Sequence, residues 1–132
     1  MIVSLHVATG AALGATTRSR LAAAGLGALA HALGDRVPHQ DIGAPYFELW
    51  TGVAGLTALS LTRGPFDPAV IGAAAASAPD SEHMLPFLRF RGRKLFPSHR
   101  FRGWHRAGGL PAPVQLLAAG VLLGLLCAPR RR

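Results

Sequence analysis

Apolar residues fall into five blocks along this chain, each closed by proline, glycine or a basic turn. The first, Val3 to Thr16, is apolar apart from His6 and small hydroxyls, and predicts a helix. Arg18-Ser19-Arg20 makes a polar turn before the second, Ser19 to Asp35, which ends ahead of Pro38. Pro45 opens the third, Tyr46 to Leu61, which closes at Thr62-Arg63-Gly64-Pro65. Asp67 and Pro68 supply an N-cap and a first-turn proline for the fourth, Pro68 to Ala78. The fifth, Ala112 to Ala128, is the most hydrophobic and stops at Pro129 and Arg130-Arg131-Arg132. From Glu82 to Pro111 the chain is basic, punctuated by Pro and Gly, and predicts a long structured loop. The expectation is an all-α single domain, residues 1–132, with about five short helices and a basic loop before the last.

Composition turns that bundle toward lipid. Charged residues are 15% of the chain, against about 25% in soluble proteins, and 16 glycines accompany the Ala and Leu. Small residues let helix backbones approach closely, as they do in membranes. A spanning helix needs about 20 apolar residues, with a lower limit near 17. The final block meets that limit; the shorter ones would need local bilayer thinning or partial insertion. A membrane-embedded bundle is therefore expected. The formal net charge of +8 suits nucleic acid, anionic lipid or a phosphate-bearing substrate. Cys127 stands alone, so no intrachain disulfide can form. Met1 to Leu5 lacks a basic leader and the first apolar block carries His6, so no cleavable signal peptide is expected.

If the blocks alternate in direction, one face holds the start of the first, the ends of the second and fourth, and the loop before the fifth. That face carries all six histidines (His6, His31, His39, His83, His99 and His105), together with Asp35, Asp41, Asp80 and Glu82. The opposite face carries Arg18, Arg20, Arg63 and the C-terminal arginines. A shared polar site explains this sorting better than chance.

His31 and Asp35 are spaced i, i+4, which puts both on one helix face. A neutral imidazole and a carboxylate so placed can reach one divalent ion at about 2.0–2.2 Å. The alternative is a helix-end ion pair. Pro38, His39 and Asp41 follow immediately and add to the ligand reading. Pro79 ends the fourth block and presents Asp80 at its mouth, with His83 three residues on; both could ligate while Glu82 points elsewhere. His99 sits beside Arg100, which favours a neutral imidazole, and Trp104 beside His105 is expected to anchor at the membrane interface. His6 is the weakest candidate, since a lone histidine in an apolar helix is commonly a satisfied core residue.

The run Arg89, Arg91, Arg93, Lys94, Arg100, Arg102, Arg106 interleaves with Phe87, Phe90, Phe96, Phe101 and Trp104. Such a pattern can bind single-stranded nucleic acid, but beside apolar helices it reads as a loop against lipid phosphates. No nucleic acid is expected. The chain has no phosphate-binding glycine loop, no nucleophile elbow and no His-Glu-x-x-His.

Four elements carry a family resemblance. They are Leu5-His6, the helix end His31 to Asp41, Pro79-Asp80-Ser81-Glu82-His83, and His99-Arg100 followed by His105. In their order and spacing the chain resembles small bacterial inner-membrane-associated proteins classed as metal-dependent hydrolases. Many members carry His-Arg-Gly-x-Thr-His where this chain has the longer His99-to-His105 stretch. The helix end is also similar to the His-rich helices of zinc-dependent phospholipases C. The resemblance implies a helical protein of the bacterial inner (plasma) membrane with a metal site.

The sequence thus leads to a membrane metal-dependent hydrolase acting on a phosphoester at the lipid headgroup level. His6, His31, Asp35, Asp80, His83 and His99 would bind zinc or manganese. His39 or Asp41 would serve as general base, and Arg100 would neutralise an anionic substrate. The alternative is a non-enzymatic membrane protein whose basic loop binds anionic lipid or a protein partner. Eight basic residues on the histidine face against six opposite barely favour a cytoplasmic site. Substrate, metal, oligomeric state and any part for His105 or Glu82 are not set by the sequence.

Overall fold

Each apolar block becomes a helix, for reasons its ends make plain. A computed structural model describes residues 1–84, 94–101, 103–104 and 106–129, with the backbone alone at 83, 84, 97 and 98. Helix α1 is Val3–Gly14, α2 Arg20–Gly34, α3 Pro45–Arg63 and α4 Pro68–Ser77. A 3-10 turn, Ala78–Asp80, leads into single turns α5 (Ser81–Met84) and α6 (Pro97–Arg100), and α7 is Ala112–Cys127. The Ser19 hydroxyl caps α2 by accepting from Ala22 N–H at 3.2 Å. Asp67 caps α4 by accepting from Ala69 N–H at 2.8 Å, and Arg63 donates to the same carboxylate at 3.1 Å. Gly64, at φ 90°, ends α3 in a conformation other residues resist.

Two backbone contacts on Gly72 set how the helices meet at the polar end. A Cβ at Gly10 would lie 2.4 Å from the Gly72 carbonyl oxygen, and one at Gly27 would lie 2.2 Å from the same atom. Helix α4 therefore wedges between α1 and α2 with backbones touching. His6 and His31 stand one turn beyond these contacts toward the same end, and Asp80 two turns beyond, in the 3-10 turn after α4. The glycines thus fix how far apart those side chains can be.

Two apolar clusters close around this wedge. Val7, Ala11, Leu59, Ala69 and Val70 are buried at its middle, while Ile2, Leu5, Ala8 and Ala119 seat α7 against α1. Buried Gln115 joins three segments at the functional end. Its Oε1 accepts from Ile2 N–H at 3.1 Å, and its Nε2 donates to the carbonyls of Gln40 at 2.8 Å and Leu110 at 3.1 Å.

A strap covers that end. His39 N–H donates to Arg106 O at 3.2 Å, and Leu110 N–H donates to Pro38 O at 2.9 Å. Trp104 Nε1 donates to Ala32 O at 2.9 Å, and the Arg36 guanidinium stacks 4.9 Å from its ring. The indole thereby ties the strap to the end of α2.

The all-α expectation holds, and the helix limits fall within two residues of those read from the sequence. The final helix is shorter than expected: 16 residues, about 24 Å long at 1.5 Å per residue. Among the described residues no helix is long and apolar enough to cross a membrane. Phe87, Arg89, Phe90, Arg91, Arg93, Arg102, His105 and the three C-terminal arginines lie outside the described residues.

Candidate metal centre

Asp35 is the hub of the site. It follows α2 directly, is 2% exposed, and is surrounded by imidazoles from three elements. His6 Nε2 lies 3.0 Å from its Oδ1. His31 Nε2 lies 3.2 Å and His99 Nε2 3.5 Å from its Oδ2. Asp80 Oδ1 stands 3.6 Å from His99 Nε2 on the far side. The rings of His6 and His31 stack at 4.2 Å, and His31 meets His99 edge-on at 5.2 Å.

Hydrogen bonds on the outer nitrogens decide what faces inward. His31 Nδ1 lies 2.8 Å from the Ala76 carbonyl, which can only accept, so Nδ1 carries the proton. In the tautomer this bond selects, His31 turns the Nε2 lone pair toward Asp35. His99 is held alike, its Nδ1 donating to Glu82 Oε1 at 2.8 Å. Glu82 is wholly buried, and its other oxygen accepts from Leu95 N–H at 2.7 Å. A carboxylate or carbonyl behind a histidine is the arrangement that fixes tautomer and ring orientation at metal sites. His31 Nε2, Asp35 Oδ2 and Asp80 Oδ2 are buried without a hydrogen-bond partner among the described residues. An imidazole lone pair facing a carboxylate oxygen across 3.2 Å needs a proton or a cation between them.

The donor set fits a divalent cation. Two ligand atoms about 2.1 Å from a tetrahedral ion stand about 3.4 Å apart, and the spacings here run from 3.2 to 3.6 Å. One ligand atom each from His6, His31 and Asp80 lie within 4.8 Å of one another, as do those of His31, Asp35 and His99. Imidazole and carboxylate without thiolate suit zinc or manganese.

The electrostatics follow from burial and crowding. Burial alone would raise the Asp35 carboxyl, but the imidazoles of His31, His6 and His99 outweigh it and hold it below the usual carboxylate range. Asp80 is pushed up to about 6, first by burial and also by the Asp35 charge. Burial takes His6 down to about 4, with His31 adding to the shift. His99 moves the other way: burial disfavours its charge, yet Asp35, Glu82 and Asp80 raise it above the ordinary histidine value. The neutral imidazole expected from its arginine neighbour gives way to the carboxylates it faces. Glu82 is held low, because the Leu95 N–H and His99 outweigh its burial.

The structure brings together His6, His31, Asp35, Asp80 and His99 of the sequence candidates. The side chain of His83 lies outside the described residues. Glu82, expected to point elsewhere, points into the site's support. His39 stands to one side: its Nδ1 donates to Val37 O at 2.6 Å, and its Nε2 faces Asp41 Oδ1 at 3.4 Å and the Met1 amino group. That amino group also donates to Asp35 Oδ1 at 3.1 Å. Arg100 is exposed, next to His99.

A cleft of about 770 Å³ opens beside the cluster, between α3 and α4. Its polar end holds Asp35, Asp41, Asp80, Lys94 and His99, while Val3, Leu49, Val53, Leu56 and Ala74 line the rest. The volume is that of a small-molecule site. Periodicity could have found the α3 wall, where Leu49, Val53 and Leu56 recur at helical spacing. No family model matches the chain, and no curated protein or solved structure matches it either.

Proposed function

We propose that this protein is a metal-dependent hydrolase working at a lipid bilayer, with a phosphoester at headgroup level as its substrate. The observation that carries the reading is the convergence of His31 Nε2 and His99 Nε2, each oriented from behind, on the Asp35 and Asp80 carboxylates. A divalent ion there would supply Lewis acidity and activate water near neutral pH. The residue types of the family resemblance lead to the same chemistry.

The remaining roles belong to the chain's own groups. Asp41, in the cleft wall with its carboxylate 3.4 Å from His39 Nε2, is the general base of this reading. Lys94, in the cleft lining, and exposed Arg100, next to His99 in sequence, offer positive charge for an anionic ester. Support for a bilayer comes from the outer faces of the helices. Leu21, Leu61, Leu125, Leu117 and Trp50 are 66–84% exposed and belong to several different helices. Apolar area on several helices supports contact with lipid in this reading. The shortness of the helices favours shallow embedding.

The test is hydrolysis of bis(p-nitrophenyl) phosphate by purified protein loaded with zinc or manganese. The reading expects turnover that a chelator abolishes and added metal restores. Turnover indifferent to chelation, or none with metal stoichiometrically bound, contradicts it.

A further inference from the structure

The cleft beside the metal centre is divided by chemistry along its length. On α3 its wall is the stripe Leu49, Gly52, Val53, Leu56; opposite stand the small residues Ala74, Ser77 and Ala78. From Ala44 to Leu56 it follows α3 for about 18 Å at 1.5 Å per residue. The charged side chains of its lining are Asp35, Asp41, Asp80, His99 and Lys94, with Glu48 in the first turn of α3; from Leu49 to Leu56 the α3 wall carries none. An occupant filling both parts has a charged head and a long apolar body.

Building on the hydrolase reading, we infer that the α3–α4 cleft binds a single aliphatic chain of an amphiphilic phosphoester and presents its head to Asp35, Asp80 and His99. A hydrocarbon suits the apolar part better than a polypeptide for a specific reason. The polar side chains along the inner wall are already committed within the fold. Ser77 Oγ donates to Ala73 O at 3.0 Å, Ser81 Oγ donates to Ala78 O at 2.6 Å, and Glu48 accepts from Ile42 N–H at 2.8 Å. A peptide laid there would bury backbone N–H and C=O groups without partners, and a hydrocarbon has none to bury. Entry is also accounted for. Val53 lines the cleft yet is 41% exposed, on the helix that shows Trp50 to the outside, so the cleft is open along its side to the same apolar exterior. A chain can enter sideways from lipid without crossing water.

The test compares butyl, octyl and dodecyl phosphate binding to the full-length, zinc-loaded protein by calorimetry. Each methylene taken up by an apolar cleft tightens binding about fourfold, so dodecyl phosphate is expected to bind at least about a hundredfold tighter than butyl phosphate. Ala74→Phe fills the cleft from α4 and should reduce that ratio about tenfold or more, with zinc content unchanged. Val53→Trp, on the exposed rim, makes the same test should Ala74→Phe fail to fold. A ratio near one in the parent protein overturns the inference, and so does a ratio that both variants leave intact, which would place the chain elsewhere. Zinc content separates the two readings: full zinc with no chain-length preference sinks the chain site alone, and a parent protein that takes up no zinc sinks the hydrolase reading beneath it.

Discussion

Glu82 accepts a hydrogen bond from His99 Nδ1 at 2.8 Å while remaining wholly buried. A buried carboxylate is costly unless its oxygens are matched, and here Leu95 N–H satisfies the second. The pair turns His99 Nε2 toward Asp35 and Asp80. Substituting Glu82→Gln should preserve the fold and weaken zinc retention about 10–100-fold, as losing an orienting partner does. Competition with a zinc-sensitive dye measures it. Unchanged affinity would reduce Glu82 to a structural role.

Zinc affinity should fall steeply below about pH 6. Asp80 is raised to about 6 and His99 lies above the ordinary histidine value, so both hold protons in the metal-free protein as pH drops. Zinc must displace those protons, and each one displaced weakens binding about tenfold per pH unit below the group's pKa. Calorimetry in buffers of different ionisation heat should count more protons released per zinc near about pH 5.5 than near about pH 8.

Asp41→Asn should lower kcat by about a hundredfold with zinc content intact, the loss expected of a general base. Arg100→Ala should instead raise KM for an anionic ester, because its charge meets the ground state as well as the transition state. Steady-state kinetics separates the two effects. Equal, small effects from both would remove them from the reaction.

The glycine contacts predict a stability difference between helices. A Cβ at Gly72 would sit 2.3 Å from the Gly10 carbonyl oxygen, so Gly72→Ala must push α1 and α4 apart. Overpacking of this kind costs about 1–3 kcal/mol, or roughly 4–12 °C in Tm. Gly120→Ala on α7 meets nothing within 4 Å and should be neutral or stabilising by up to about 1 kcal/mol. Thermal unfolding of the two variants checks the contrast.

The helices were legible because Ser19, Asp67 and Pro68 mark helix starts and the apolar blocks end at Pro or Gly. The gathering of His6, His31, Asp35, Asp80 and His99 was legible from alternation of short helices alone, which returns distant residues to one end. Glu82 was not legible. Its burial depends on how the segment around Leu95 and His99 folds back, and no local periodicity encodes that. Gln115 was hidden for the same reason, since its partners Ile2, Gln40 and Leu110 lie far away or in loops. The bias at His99 was misjudged because its sequence neighbours are arginines, whereas its neighbours in space are carboxylates.

The central claim is that imidazoles and carboxylates from α1, α2, the end of α4 and α6 hold one cation between them. Elemental analysis of purified, zinc-reconstituted protein beside a folded His31→Ala variant tests it most directly. The account predicts one zinc per chain in the parent and loss of nearly all of it in the variant. Zinc absent from the parent, or equal in both, would contradict it.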